Sequence, residues 1–214
     1  MTGQEDRDGA ELRRAWLAPV ALLAACAVGV MALRYGGTGE PGRVDARIQG
    51  LVDGLPGSWW PVATAVDALG EREGAAVLVL SVVALCLVLR RPRAAVLIVA
   101  ACGTSVAATM LLKPLVGRTI HGGSLAYPSG HTAFLTAFIL VLALLVTGRF
   151  GLVGPGGAVV VLLASLVAGV AMGWAQVATN SHYPTDTIGG YFTALAVVTA
   201  TAWLVDRRNL LACR

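Results

Sequence analysis

Three observations predict an all-α integral membrane protein in which six transmembrane helices form one bundle. Of 214 residues, 57% are hydrophobic and only 13% charged, with a mean hydropathy of +0.75. Soluble domains carry roughly 25% charged residues. The apolar residues fall in runs that approach or pass the roughly eighteen needed to read as a membrane span. The charges collect between the runs: between Gly74 and Val205 the only acidic residue is Asp186, and Lys113 is the only Lys beside 15 Arg. Composition excludes a disordered chain, a collagen-like repeat and a secreted disulfide scaffold. The net charge of +4 comes from loop arginines and implies no nucleic-acid partner. Cys26, Cys86, Cys102 and Cys213 show no metal-ligand spacing and read as small apolar residues.

In chain order, residues 1–14 are a polar tail and residues 15–205 a single membrane domain, followed by a second tail over 206–214. Span 1 covers residues 15–33. The loop over 34–73 is rich in Gly and Pro; within it residues 44–55 predict an amphipathic interfacial helix, and Trp59-Trp60 suits a membrane–water boundary. Span 2 covers 74–89, and Arg90-Arg91-Pro92-Arg93 makes a basic turn. Span 3 covers 94–112, a polar loop follows over 113–130, and span 4 covers 131–147. Span 5 covers 158–177; its Ser165, Gly169 and Gly173, four apart, form a small-residue stripe for close helix packing. Span 6 covers 187–205.

Arginine bias orients the chain. With the amino terminus in the cytoplasm, ten basic residues fall inside and six outside, which places loops 113–130 and 178–186 together on the outer face. Arg13-Arg14 with Leu23-Ala24-Ala25-Cys26 also resembles a lipoprotein signal. The apolar run continues for seven residues past Cys26, which favours an uncleaved span.

Those two loops and the first residue of span 4 hold the sole Lys, the isolated Asp and all three histidines, His121, His131 and His182. Polar residues grouped this way in an apolar protein point to a site. Pro128-Ser129-Gly130-His131 opens span 4, where unpaired backbone N–H groups and the helix dipole suit an anion. Gly130 permits close approach and Ser129 adds a hydroxyl donor. His182-Tyr183-Pro184-Thr185-Asp186 precedes span 6, with His and Asp four apart, so that the carboxylate can fix the imidazole tautomer. Lys113 and Arg118 supply cations for phosphate oxygens. Two histidines can divide a phosphoester cleavage, one attacking phosphorus and the other protonating the departing oxygen. The bland readings are helix-capping or interfacial histidines, an N-capping Asp186 and a snorkelling Lys113. Zinc binding is a weaker alternative, because no tight ligand spacing supports it.

These residues resemble the type-2 phosphatidic acid phosphatases, membrane relatives of the vanadium haloperoxidases. The resemblance covers about residues 74–205. Pro128-Ser129-Gly130-His131 matches that family's second motif in full. His182 and Asp186 match half of the third, and Lys113, in Lys113-Pro-Leu-Val-Gly-Arg118, starts the first. The resemblance implies a phosphatase/haloperoxidase-like helical bundle with His182 as nucleophile, Asp186 orienting it and His131 as general acid. Lys113, Ser129 and Gly130 would hold phosphate. The sequence departs from the pattern at both family arginines, which fall on Ile120-His121 and Ala175-Gln176. Arg118 is the expected substitute for the first, His121 a helper, and Gln176 an uncharged donor for the second.

The expected activity is hydrolysis of a terminal phosphate or diphosphate on a lipid that enters from the bilayer. Polyprenyl diphosphates, polyprenyl-phosphosugar phosphates, phosphatidic acid and phosphatidylglycerol phosphate are the substrate classes. No metal or other cofactor is expected, and the setting is a bacterial plasma membrane. The alternatives are a phosphotransferase with an alcohol acceptor and a degenerate member that binds phospholipid without chemistry. Oligomeric state is not legible.

Overall fold

The structure, a computed structural model, describes residues 2–152 and 154–212, with side chains described for 15–152 and 154–204. Among the described residues it is almost wholly helical: α1 (Thr2–Tyr35), α2 (Arg43–Asp53), α3 (Trp60–Asp67), α4 (Arg72–Val88), α5 (Pro92–Val116), α6 (Gly130–Arg149), α7 (Pro155–Ala178) and α8 (Pro184–Ala212). A small antiparallel hairpin, β1 (Thr119–Ile120) with β2 (Ser124–Leu125), lies between α5 and α6.

Five helical stretches are long and apolar enough to cross a membrane: Ala15–Tyr35, Pro92–Val116, Gly130–Arg149, Pro155–Ala178 and Pro184–Leu204. The apolar α4, at 17 residues, is about 25 Å long and completes the six expected spans. A helix, α2, forms over most of the stretch 44–55 where the sequence predicts an amphipathic one.

Several boundaries depart from the sequence reading. The backbone of the amino-terminal segment is helical from Thr2, continuous with span 1. α5 runs beyond residue 112, so Lys113 belongs to its last turn and not to the loop. Gly117, at φ 66°, ends that helix in a left-handed turn and donates its N–H to the Lys113 carbonyl at 3.0 Å. Only glycine adopts this turn without steric penalty. α8 starts at Pro184, three residues early, because proline is preset for the first helical position. α3, with Pro61 near its start, was not expected.

α6 is the centre of the bundle. It packs against α5, α7 and α8, while α1 lies along α8 and α4 along α5. Its Phe134, Phe138, Leu140 and Val141 meet Ile98 of α5, Val161 and Met172 of α7, and Leu195 and Val198 of α8 in one apolar core. Lipid is as apolar as this core, so association rests on close packing. The small-residue stripe of α7 serves that purpose. A Cβ on Gly169 would lie 2.5 Å from the Tyr191 ring, and one on Gly173 would lie 3.0 Å from the Thr187 hydroxyl. Leu33, Val88 and Leu115 are among the exposed apolar side chains that such a bundle turns toward lipid.

Candidate active site

The α1 carboxyl end, α2, α3, the hairpin and the starts of α6 and α8 gather at one end of the bundle, joined by hydrogen bonds between loops. Gly37 N–H donates to the Val116 carbonyl at 2.9 Å and Thr119 N–H to the Thr38 carbonyl at 3.0 Å. His121, exposed and at φ 44°, places Nε2 2.7 Å from the Asn180 carbonyl and ties the two polar loops together.

The two histidine-bearing segments meet directly. Ser129 N–H donates to the Asp186 carbonyl at 2.9 Å, so the start of α6 is fastened to the first turn of α8. The approach requires glycine on α8: a Cβ on Gly190 would lie 2.4 Å from the Ser129 carbonyl oxygen. The Ser129 side chain is fully buried. Its hydroxyl accepts from Thr132 N–H at 3.4 Å, capping α6, and donates to Gln176 Oε1, also at 3.4 Å. The Tyr127–Pro128 peptide is cis, and Tyr127, also buried, donates its hydroxyl to the Val28 carbonyl at 3.0 Å. Burial, reinforced by the negative charge of Asp186 and opposed by Arg118, pushes the Tyr127 hydroxyl well above its ordinary range. Tyr127 therefore acts as a neutral strut to α1.

His182 lies in the short loop before α8, with its side chain only 11% exposed. Its Nδ1 faces Asp186 Oδ2 at 3.7 Å, an ion-pair distance longer than a hydrogen bond. Asp186 Oδ2 also accepts the Tyr183 N–H at 3.0 Å, so the carboxylate caps α8 and faces the imidazole at once. Burial lowers the His182 pKa from its ordinary value. Asp186 pulls it back up, while Lys113 and His131 push it further down. The ring is thereby held toward its neutral form, with Nε2 as the nitrogen left for chemistry.

His131, in the first turn of α6, has Nε2 3.4 Å from Glu71 Oε1, and its ring rests against Gly70. Lys113 makes no hydrogen bond or ion pair with the described residues, yet its charge is felt at His182. Gly130 begins α6 beside Ser129. Gln176 is buried, and its amide donates to the Asp67 carboxylate at the end of α3.

Arg118 does not stand as expected. It is fully buried and its guanidinium is engaged: Nη2 donates to Asp45 Oδ2 at 2.7 Å, and Nη1 to Asp186 Oδ1 at 2.8 Å and the Thr185 hydroxyl at 2.5 Å. The rings of Tyr35 and Tyr183 flank it at 4.6 and 4.8 Å. In this arrangement both terminal nitrogens bond protein oxygens and the side chain is fully buried.

The structure thus brings together His131, His182, Asp186, Ser129, Gly130, Gln176 and Lys113. His121 stands on the exposed rim and Arg118 behind Asp186. The sequence reading missed Asp45, Asp67 and Glu71, three carboxylates of the 34–73 loop. For Asp45 a signal existed: it lies three residues after Gly42, whose N–H donates to its Oδ2 at 3.0 Å, a helix-start pattern. Among the described residues no three His, Cys, Asp or Glu side chains gather as a metal-binding group.

Fold and candidate site together describe a helical membrane protein with two histidines at one end of its bundle. Residues 113–210 match the family model of the PAP2 superfamily. The fold of the chain is similar to the crystal structure of a transmembrane PAP2-type phosphatidylglycerolphosphate phosphatase from Bacillus subtilis. The TM-score is 0.64 at 20% identity, covering 92% of this chain and 96% of that one. No curated protein matches the sequence.

Proposed function

We propose that this protein is a membrane lipid phosphatase that cleaves a terminal phosphate or diphosphate through a phosphohistidine on His182. The observation that carries the reading is the junction of the two motifs. Ser129 N–H bonds the Asp186 carbonyl, so the segment that carries a buried imidazole held toward its neutral form is fastened to the amino terminus of α6. The PAP2 superfamily match over 113–210 supports the same reading.

In the first step His182 Nε2 attacks phosphorus, forming a P–N bond as the bond to the lipid oxygen breaks. His131 gives its proton to that oxygen. Neutral His131 then takes a proton from water, whose oxygen attacks the phosphohistidine. The P–N bond breaks, its electron pair returns to His182, and inorganic phosphate leaves. Asp186 stabilises the charge that builds on the His182 ring. Lys113 and the amides around Gly130 bind the phosphoryl oxygens, and the Ser129 hydroxyl joins them by turning its proton from Gln176 Oε1. The domain would comprise residues 15–205, its site on the outer face, and substrates would arrive laterally from the bilayer. Phosphatidylglycerol phosphate, phosphatidic acid and polyprenyl lipids are the candidate substrates, the first being the lipid named for the Bacillus neighbour.

One observation favours a second reading, a lipid-phosphate binder without turnover. With Arg118 engaged and Gln176 uncharged, Lys113 is the one lysine or arginine of the site with no ion-pair partner among the described residues. A missing charge-assisted contact raises the barrier by about 2–4 kcal/mol.

The test is phosphate release by purified, detergent-solubilised protein over a panel of lipid phosphates and diphosphates, with EDTA present and His182→Ala alongside. Release that survives EDTA and vanishes in the variant is the expected outcome. Release that needs an added alcohol would instead reveal a transferase. Binding without release, unaffected by His182→Ala, would establish the binder.

A further inference from the structure

We propose that Arg118 and Asp45 are positioning residues for the nucleophile: the α2 carboxylate holds the guanidinium that in turn holds Asp186 against His182. The proposal rests on the reading of His182 as nucleophile.

Asp45, Arg118 and Asp186 are each fully buried, and their charges alternate along one line of contacts. Asp45 and Asp186 lie 141 residues apart in sequence (186 − 45), and α2 and α8 have no covalent reason to stay in register. The arginine supplies one. Its Nη1 takes Asp186 Oδ1 and leaves Oδ2 for the Tyr183 N–H and the face toward His182 Nδ1. A carboxylate held at both oxygens has one orientation, which a carboxylate held only by a loop amide does not.

Asp45 completes the clamp. Its Oδ2 accepts from Arg118 Nη2 and from Gly42 N–H, and its Oδ1 accepts the Thr185 N–H in the first turn of α8 at 2.8 Å. The Tyr35 and Tyr183 rings both lie within cation–π distance of the guanidinium. Such a desolvated network is favourable only while every member is paired, so removing one charge releases the others. An arginine placed for phosphate would be reachable from the pocket. This one is fully buried, and its remaining nitrogen, Nε, is buried as well.

The experiment is a double-mutant cycle on the full-length protein in detergent, with Arg118→Met, Asp186→Asn and both together, read as kcat and KM for lipid-phosphate hydrolysis. Arg118→Met is expected to lower kcat on the order of 10²-fold with KM nearly unchanged. The double variant should be no slower than Asp186→Asn alone, because residues acting through one another are not additive. Losses that multiply, or a rise in KM at unchanged kcat, would overturn the proposal; the second would make Arg118 a phosphate contact. If Arg118→Met fails to fold, Asp45→Asn and Arg118→Lys close the same cycle with smaller disruption.

A readout without turnover keeps the positioning role separable from the phosphatase reading. In nitrogen-labelled protein, with His182 assigned by comparison with His182→Ala, NMR reports which ring nitrogen carries the proton. The proton is expected on Nδ1 in the native protein. Arg118→Met and Asp45→Asn should shift the tautomer mixture as Asp186→Asn does. An unchanged His182 signature in both variants would refute the positioning role even if no lipid were hydrolysed.

Discussion

At the scale of single residues, the site turns on how an imidazole can be buried beside charges and remain a base. Burial has the largest influence on His182 and disfavours the imidazolium; Asp186 favours it, and Lys113 and His131 add to burial. The nucleophile proposed on His182 must be unprotonated, and the folded-state pKa of that ring lies below the ordinary value of about 6.5. Activity should therefore persist as pH falls through 6.5 and fail only below it. The acid limb of the pH profile of kcat/KM is the measurement. Asp186→Asn should move that limb further down, because the favourable partner of the charged ring is gone. A limb at or above the ordinary histidine value would contradict this electrostatic picture. The residue scale is also where the sequence was least sufficient. His131, His182 and Asp186 were legible from their motifs, whereas Arg118 looked like a phosphate ligand because sequence lists charges but not what they face.

Between elements, the decisive contact is the crossing of α8 over the start of α6. Gly190 lies where any side chain would strike the Ser129 carbonyl oxygen, and Gly189 where one would strike the Tyr127 ring, at 2.4 and 2.2 Å. Gly190→Ala should destabilise the protein by about 1–3 kcal/mol, the usual cost of overpacking a well-packed site. It should also lower turnover, because Ser129 and the α6 amides move with the helix. Gly156→Ala on α7, where a Cβ meets nothing within 4 Å, is the control expected to leave both unchanged. Thermal unfolding in detergent, compared between the two variants, checks the contrast. Helix identities and most of their lengths were readable from apolar runs. The ends were less so: α5 extends through Lys113 and α8 begins at Pro184, since termini are set by capping contacts and not by hydropathy.

For the whole molecule, the question is which side of the membrane the site faces. The six-against-ten distribution of basic residues predicts the outer side for both polar loops. Ser124 sits exposed in β2 at that end of the bundle, and cysteine matches serine closely in size. Ser124→Cys, in a chain whose native cysteines are replaced by serine, should react on intact cells with a membrane-impermeant maleimide. Labelling only after lysis would reverse the orientation and place the site in the cytoplasm.

The sequence by itself determined the membrane class, most of the spans, and the motifs that carry His131, His182 and Asp186. These follow from hydropathy and from short motifs whose residues are neighbours in the chain, so local spacing contains the information. Only the tertiary structure decided that Arg118 lies behind Asp186, and that Asp45, Asp67 and Glu71 reach into the site from the 34–73 loop. Those partners are separated by tens of residues or more. A buried charge chooses its counter-charge by proximity and desolvation in the packed bundle, and one-dimensional order does not record either.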